Sequence, residues 1–182
     1  MNPATTNLPS GKSQLPRAIL WGWLICGVMD ISAAFISAYV QAGRSPLQLL
    51  QGVAGALVGP TTFNYGLATA ALGLAMHFSV AFTVTAIFYG LSRRFPVLLR
   101  GGGVPAGLIY GAGVYFAMFR GVLPVMIELK ALYLTGYVRP PPPALGLPQF
   151  IIHLFCVGLP IALAVRRFSP SPTGGAGPTA KS

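Results

Sequence analysis

Apolar residues run through this chain in long stretches, separated by short polar, glycine-rich or proline-rich segments. Four stretches come close to or exceed the roughly 20 residues that a helix needs to cross bilayer hydrocarbon. They are Ala18–Ala42, Gly66–Leu91, Val104–Met126 and Pro148–Val165. The last is the shortest and carries Pro160, so a kink is expected there. None of the four alternates with the short period of a strand, and the pattern predicts an all-α, polytopic membrane bundle of four transmembrane helices.

The stretch 45–60, "SPLQLLQGVAGALVGP", is a fifth apolar element. Ser45 suits a helix N-cap, Pro46 suits the first turn, and Gly59-Pro60 ends the helix. About fourteen residues are too few for an ordinary span. A short interfacial or re-entrant helix is expected. The end segments, 1–16 and 169–182, are rich in Pro, Ser, Thr, Gly and Asn and read as disordered tails around a membrane domain at 17–168. Between the third and fourth stretches, "RPPPPALGLP" favours a stiff extended strap.

Composition agrees with this pattern. Hydrophobic residues make up 54% of the 182 and charged residues only 8%, too few to cover a soluble surface. The formal charge of +10 does not point to nucleic acid, because the bases are scattered and most flank apolar runs. Four spans place Lys12, Arg17, Arg93, Arg94, Arg100, Arg166, Arg167 and Lys181 on one side, and Arg44, Lys130 and Arg139 on the other. The positive-inside rule then puts both termini in the cytoplasm. If 45–60 also crossed, the later segments would invert and the bias would be lost. A cleaved signal peptide is the rival reading of the first stretch, with "VQA" at 40–42 as a cleavage pattern. Its apolar run is longer than the usual 7–15-residue signal core, roughly, and Asp30 interrupts it, so a retained span is expected.

In lipid, helices associate by close backbone approach. Gly103, Gly107 and Gly111 recur every fourth residue in the third stretch, and a second small stripe follows Ala106, Gly113 and Ala117. Both faces are expected to meet neighbours. Packing within the chain is the first use of such a motif, and self-association into a homo-oligomer the second.

Candidate chemistry is confined to one set of residues. The chain has two acids, Asp30 and Glu128, and Asp30 stands inside the first stretch. Its helical neighbours are mostly small (Gly27, Ala33, Ala34, Ser37), so it should face another helix. His77, Arg120 and His153 lie inside the other three stretches. A rise of about 1.5 Å per residue puts Asp30 near ~18 Å, His153 near ~20 Å, His77 near ~22 Å and Arg120 near ~26 Å from the cytoplasmic side. A lone charge at the bilayer centre costs about 2.5–3.5 kcal/mol or more, so an Asp30–Arg120 pair ringed by the histidines is one expectation. A neutral acid beside neutral His77 is the other. The cluster is either a packing clamp or an outward-opening proton or small-solute pathway, since histidine beside aspartate exchanges protons near neutral pH. Thr61, Thr62, Asn64 and Tyr65 would line its mouth or cap helix ends. His77 and His153 on separate spans also allow a b-type haem, without a motif for one.

No metal site is expected. Cys26 and Cys156 are too few for a cysteine zinc site, and no short-spaced ligand pair exists. "GKS" and "GRS" lack the upstream glycine of a P-loop, and no nucleophile motif appears, so no enzyme is expected. The one partner the sequence specifies is the lipid bilayer.

Four stretches resemble the small bacterial inner-membrane proteins of the YagU type: "GWLICGVMDISAAF…GRSP" at 22–46, "HFSVAF" at 77–82, "GVPAGLIYG" at 103–111 and "HLFCVGLPIALAVRR" at 153–167. The resemblance implies a bacterial inner membrane and places His77 and His153 in matching spans. It implies no biochemical activity, and Asp30 and Arg120 match no clear motif of that family.

Overall fold

The computed structural model describes residues 15–141 and 143–168. The chain is all-helical over its elements: α1 Leu15–Ala42, α2 Pro46–Val58, α3 Gly66–Arg94, α4 Val104–Phe116, α5 Leu123–Tyr133, α6 Leu147–Ile152 and α7 Leu159–Phe168. Short 3₁₀ segments at Pro60–Asn64 and Pro96–Gly103 lead into α3 and α4. A π turn at Ala117–Val122 joins α4 to α5, and another at His153–Gly158 joins α6 to α7. Among the described residues four helical runs are long and apolar enough to cross a membrane: Leu15–Ala42, Gly66–Arg94, Pro96–Tyr133 and Leu147–Phe168. The expected tails lie outside the described residues, except that Leu15 and Pro16 already belong to α1.

The third run is longer than the sequence pattern suggested. A loop was expected from residue 127, but "IELKALY" carries the helix on to Tyr133, because these residues favour helix and none breaks it. Glu128 and Lys130 are therefore helical. The π turns have a common cause. Pro124 and Pro160 each follow one directly by a single residue, and a proline inside a helix clashes with the carbonyl four residues back. Widening the preceding turn relieves that clash. Leu123 N–H accordingly bonds Met118 O, and Leu159 N–H bonds Leu154 O, five residues back in each case.

The bundle is small inside and large outside. The buried face of α1 is Ala18, Gly22, Cys26, Gly27 and Ile31, whereas Trp21, Val28, Met29, Ile36 and Val40 are exposed. That is the arrangement of a helix whose outer face meets lipid. Glycines set the spacing. Gly22 and Gly27 admit Thr85 and Phe78 of α3. A Cβ on Gly107 or Gly111 would run into the backbone at Gly158, Leu159, His153 and Leu154, and Gly103 rests beside Ala162. The expected Gly103–Gly107–Gly111 stripe thus packs on the last helical run of the same chain. Gly113 does not share in this. It is exposed, with nothing within 4 Å of a Cβ placed there, and Ala117 is exposed too, so of the expected second stripe only Ala106 meets the core.

The short helix forms as its caps require. Ser45 Oγ accepts from Gln48 N at 3.3 Å and Gln48 Oε1 accepts from Ser45 N at 2.9 Å, a reciprocal capping box. Gly59, at φ 94°, ends the helix in a conformation that favours glycine. With 13 residues α2 does not span. It crosses α3 at Gly73, whose missing side chain lets the Leu50 backbone close in. That point is about 10 Å along α3 from its start. Gln51, buried, donates to Gly66 O at 3.1 Å.

Two ends of the bundle can be distinguished. Arg17, Arg93, Arg94, Arg100, Arg166 and Arg167 gather at the end where the described chain begins and finishes, the terminal end. The 43–65 segment and the proline-rich 134–146 segment cover the other, the strap end.

Candidate functional site

Asp30 sits just past mid-length on the face of α1 that meets α3 and the α6–α7 run. Its carboxylate Oδ2 lies 3.9 Å from His77 Nδ1 of α3. Both side chains are largely enclosed, at 21% and 13% exposure. The other ring nitrogen, His77 Nε2, is 3.0 Å from the carbonyl of Gly27. A carbonyl only accepts, so Nε2 carries the hydrogen. In the neutral ring the lone pair, at Nδ1, is therefore the one that faces Asp30. Gly27 makes this possible twice over, since its position on α1 also takes the edge of Phe78.

His153, at the head of the second π turn, is within electrostatic reach of Asp30. Its ring is buried between Tyr115 and Phe119, at centroid distances of 5.5 and 6.1 Å. His153 Nδ1 donates to Gln149 O at 2.8 Å, which leaves Nε2 as its lone-pair nitrogen. Both histidines are thus held in one tautomer by a backbone carbonyl.

Arg120 does not join them. It stands exposed in the first π turn and makes no ion pair among the described residues. Depth along a helix was legible, but the direction a residue faces was not, and the π turn shifts that direction further. The expected Asp30–Arg120 pair is absent from the arrangement. What replaces it is Asp30–His77. The second acid, Glu128, takes Arg139 Nε at 3.0 Å on an exposed surface.

Polar side chains continue from Asp30 toward the strap end. Ser37 and Gln41, seven and eleven residues on, share its face of α1. Gln41 Nε2 donates to Ser37 Oγ at 2.5 Å, and Gln149 Nε2 reaches the same oxygen at 3.4 Å from the last helical run. Between Asp30 and Ser37, α1 offers only the partly exposed Ala33 and Ala34. Toward the terminal end the core closes: Cys26, Phe88, Ile161, Ala162 and Val165 are buried against one another. Ser37 was legible as a helical neighbour of Asp30, whereas Gln41 and Gln149 were not picked out. Their signal was the seven- and eleven-residue spacing from Asp30, and a glutamine in the last span.

The expected mouth residues divide. Thr62 is fully buried; its Oγ1 donates to Gly59 O at 3.1 Å, and its carbonyl accepts from Thr69 Oγ1 at 2.6 Å, so it builds the turn before α3. Thr61, Asn64 and Tyr65 are exposed. Among the described residues no group of three or more His, Cys, Asp or Glu could hold a metal ion. Each histidine keeps one lone-pair nitrogen, Nδ1 of His77 and Nε2 of His153, and that of His77 faces Asp30 at 3.9 Å.

Comparison with family models, with curated proteins and with solved structures finds no match. The four spans make this chain an integral, multi-pass membrane protein.

Proposed function

We propose that this protein moves protons, alone or with a small solute, through a site formed by Asp30 and His77. The observation that carries the reading is the locked ring of His77. With Nε2–H held by Gly27 O, one titratable proton is left between Nδ1 and the Asp30 carboxylate. Asp30–COOH beside neutral imidazole, and carboxylate beside imidazolium, differ only in which atom holds it. An intramembrane acid–imidazole pair of this kind is the usual element of a proton relay. Ser37, Gln41 and Gln149 supply hydrogen-bonding groups on the way to the strap end, and small Ala33 and Ala34 leave room for water over the intervening ~10 Å. The packed core on the terminal side is the closed gate. Rearrangement at the proline-linked π turns would open it.

The arginine-rich terminal end supports a cytoplasmic location for both termini, and the resemblance to YagU-type proteins supports a bacterial inner membrane. The same Asp30–His77–Gly27 contacts also tie α1 to α3, so a purely architectural clamp is the second reading. Reconstitution into liposomes with an internal pH dye tests the two. Transport requires Asp30→Asn to abolish imposed-gradient proton movement while the protein stays folded. Equal proton movement with Asp30→Asn and wild type would overturn it.

A further inference from the structure

A second site lies at the strap end, away from Asp30. A cavity of about 510 Å³ opens between α2, α5 and the proline-rich strap. Its apolar wall includes Phe63, Leu123, Met126 and Ile127. Its lining carries two cations, Arg44 and Lys130.

Lys130 is the unusual member. It is only 7% exposed. Nζ donates to Gly55 O at 2.8 Å and stands 5.3 Å from the Tyr137 ring centroid. An ammonium has three hydrogens, and a backbone carbonyl uses one. Burying a cation is costly unless an anion or several acceptors answer it. Glu128, two residues away, is taken by Arg139 instead. Among the described residues no carboxylate pairs with Lys130 or Arg44. Two cations lining one cavity, with apolar side chains continuing along a membrane-spanning helix, match a ligand with a negative head and a hydrocarbon tail.

We infer that this cavity binds an anionic amphiphile, its phosphate or carboxylate between Lys130 and Arg44 and its acyl chain along Leu123, Met126 and Ile127. The anion completes the hydrogen bonding of the buried ammonium, and the chain extends toward hydrocarbon rather than water. Bound there, the ligand joins α2 to α5 and the strap. The inference does not depend on the proton site.

Native mass spectrometry of the full chain in detergent tests it, with phosphatidylglycerol, phosphatidylcholine and oleate as added probes. Phosphatidylglycerol or oleate should bind at least about tenfold more tightly than phosphatidylcholine, as charge-assisted bonds to a buried cation imply. Lys130→Gln should erase that preference, and Arg44→Gln, at an exposed position, should weaken it without affecting folding. Arg167→Gln, at the opposite end, should leave it intact. A Lys130-dependent preference for phosphatidylglycerol alone assigns a phospholipid, and for oleate alone a free fatty acid. If Lys130→Gln is too unstable to measure, Arg44→Gln and the cavity-filling Met126→Trp decide, and both must reduce binding. No preference for the anionic probes, a preference unchanged in these variants, or one lost with Arg167→Gln would overturn the proposal. Displacement by inorganic phosphate at equal concentration would also overturn it, because the tail would then contribute nothing.

Discussion

His77 gives its Nε2–H to the carbonyl of Gly27 at 3.0 Å and so presents its bare Nδ1 to the next turn of the same helix, where Asp30 stands 3.9 Å away. A backbone carbonyl has fixed the tautomer, and the tautomer fixes which atom can receive a proton. This separates the structural job of the ring from its chemical one. His77→Gln keeps an amide donor for Gly27 O but removes the basic nitrogen. The variant is expected to fold, with a thermal midpoint near wild type, and to lose at least about tenfold in liposome proton flux, the scale of a lost acid–base group. His77→Leu removes both and should also lower the midpoint.

Arg120 is expected to be dispensable to the pair. Arg120→Leu should retain folding and flux, and the double-mutant cycle with Asp30→Asn should show a coupling below about 0.5 kcal/mol in detergent unfolding, as for groups that do not touch. A coupling of several times that size would place the guanidinium on Asp30 after all.

The contact between the third and fourth spans tolerates no side chain. Gly158→Val must push a Cβ into the backbone of Gly107 and Gly111. It is expected to destabilise by roughly 1–3 kcal/mol or to prevent folding, the range for overpacking. Gly113→Ala, two positions from Gly111 but facing open space, should be neutral or slightly stabilising. Circular-dichroism melts of the two variants in one detergent make the comparison.

Pro160 maintains the π turn that carries His153. Pro160→Ala restores a backbone N–H and allows an ordinary α-turn, which removes the extra residue and rotates His153 relative to α7. The variant should remain folded while its flux falls. Amide hydrogen exchange at Cys156–Leu159 should slow as the regular turn closes. Flux and exchange both unchanged would show that the π turn has no part in the pathway.

The spans were legible because a 30 Å apolar layer, roughly, demands long uninterrupted runs, and α2 was legible because Ser45, Pro46 and Gly59 cap it as their types require. The Gly103–Gly107–Gly111 stripe was legible from its fourfold spacing. Gly113 and Arg120 were misread for one reason. Sequence spacing orders residues around a single helix but does not say which helix, or lipid, faces them. The π turns then displace that order by one residue. Pro124 and Pro160 were the visible sign of those turns. Lys130 was read as part of a loop, because nothing in a short polar-looking segment reveals that helix continues through it and buries the ammonium.

Infrared spectroscopy of the protein in lipid reads the protonation of Asp30 itself. The chain has only two carboxyl side chains, Asp30 and Glu128, and Glu128 is the exposed partner of Arg139. A protonated-carboxyl stretch arising within the membrane therefore belongs to Asp30. That band should exchange intensity with the carboxylate band reversibly over the pH range in which the protein stays folded, vanish in Asp30→Asn, and change its titration in His77→Gln. A carboxyl signal that stays constant across that range, or that titrates identically without His77, would contradict a proton shared between the two.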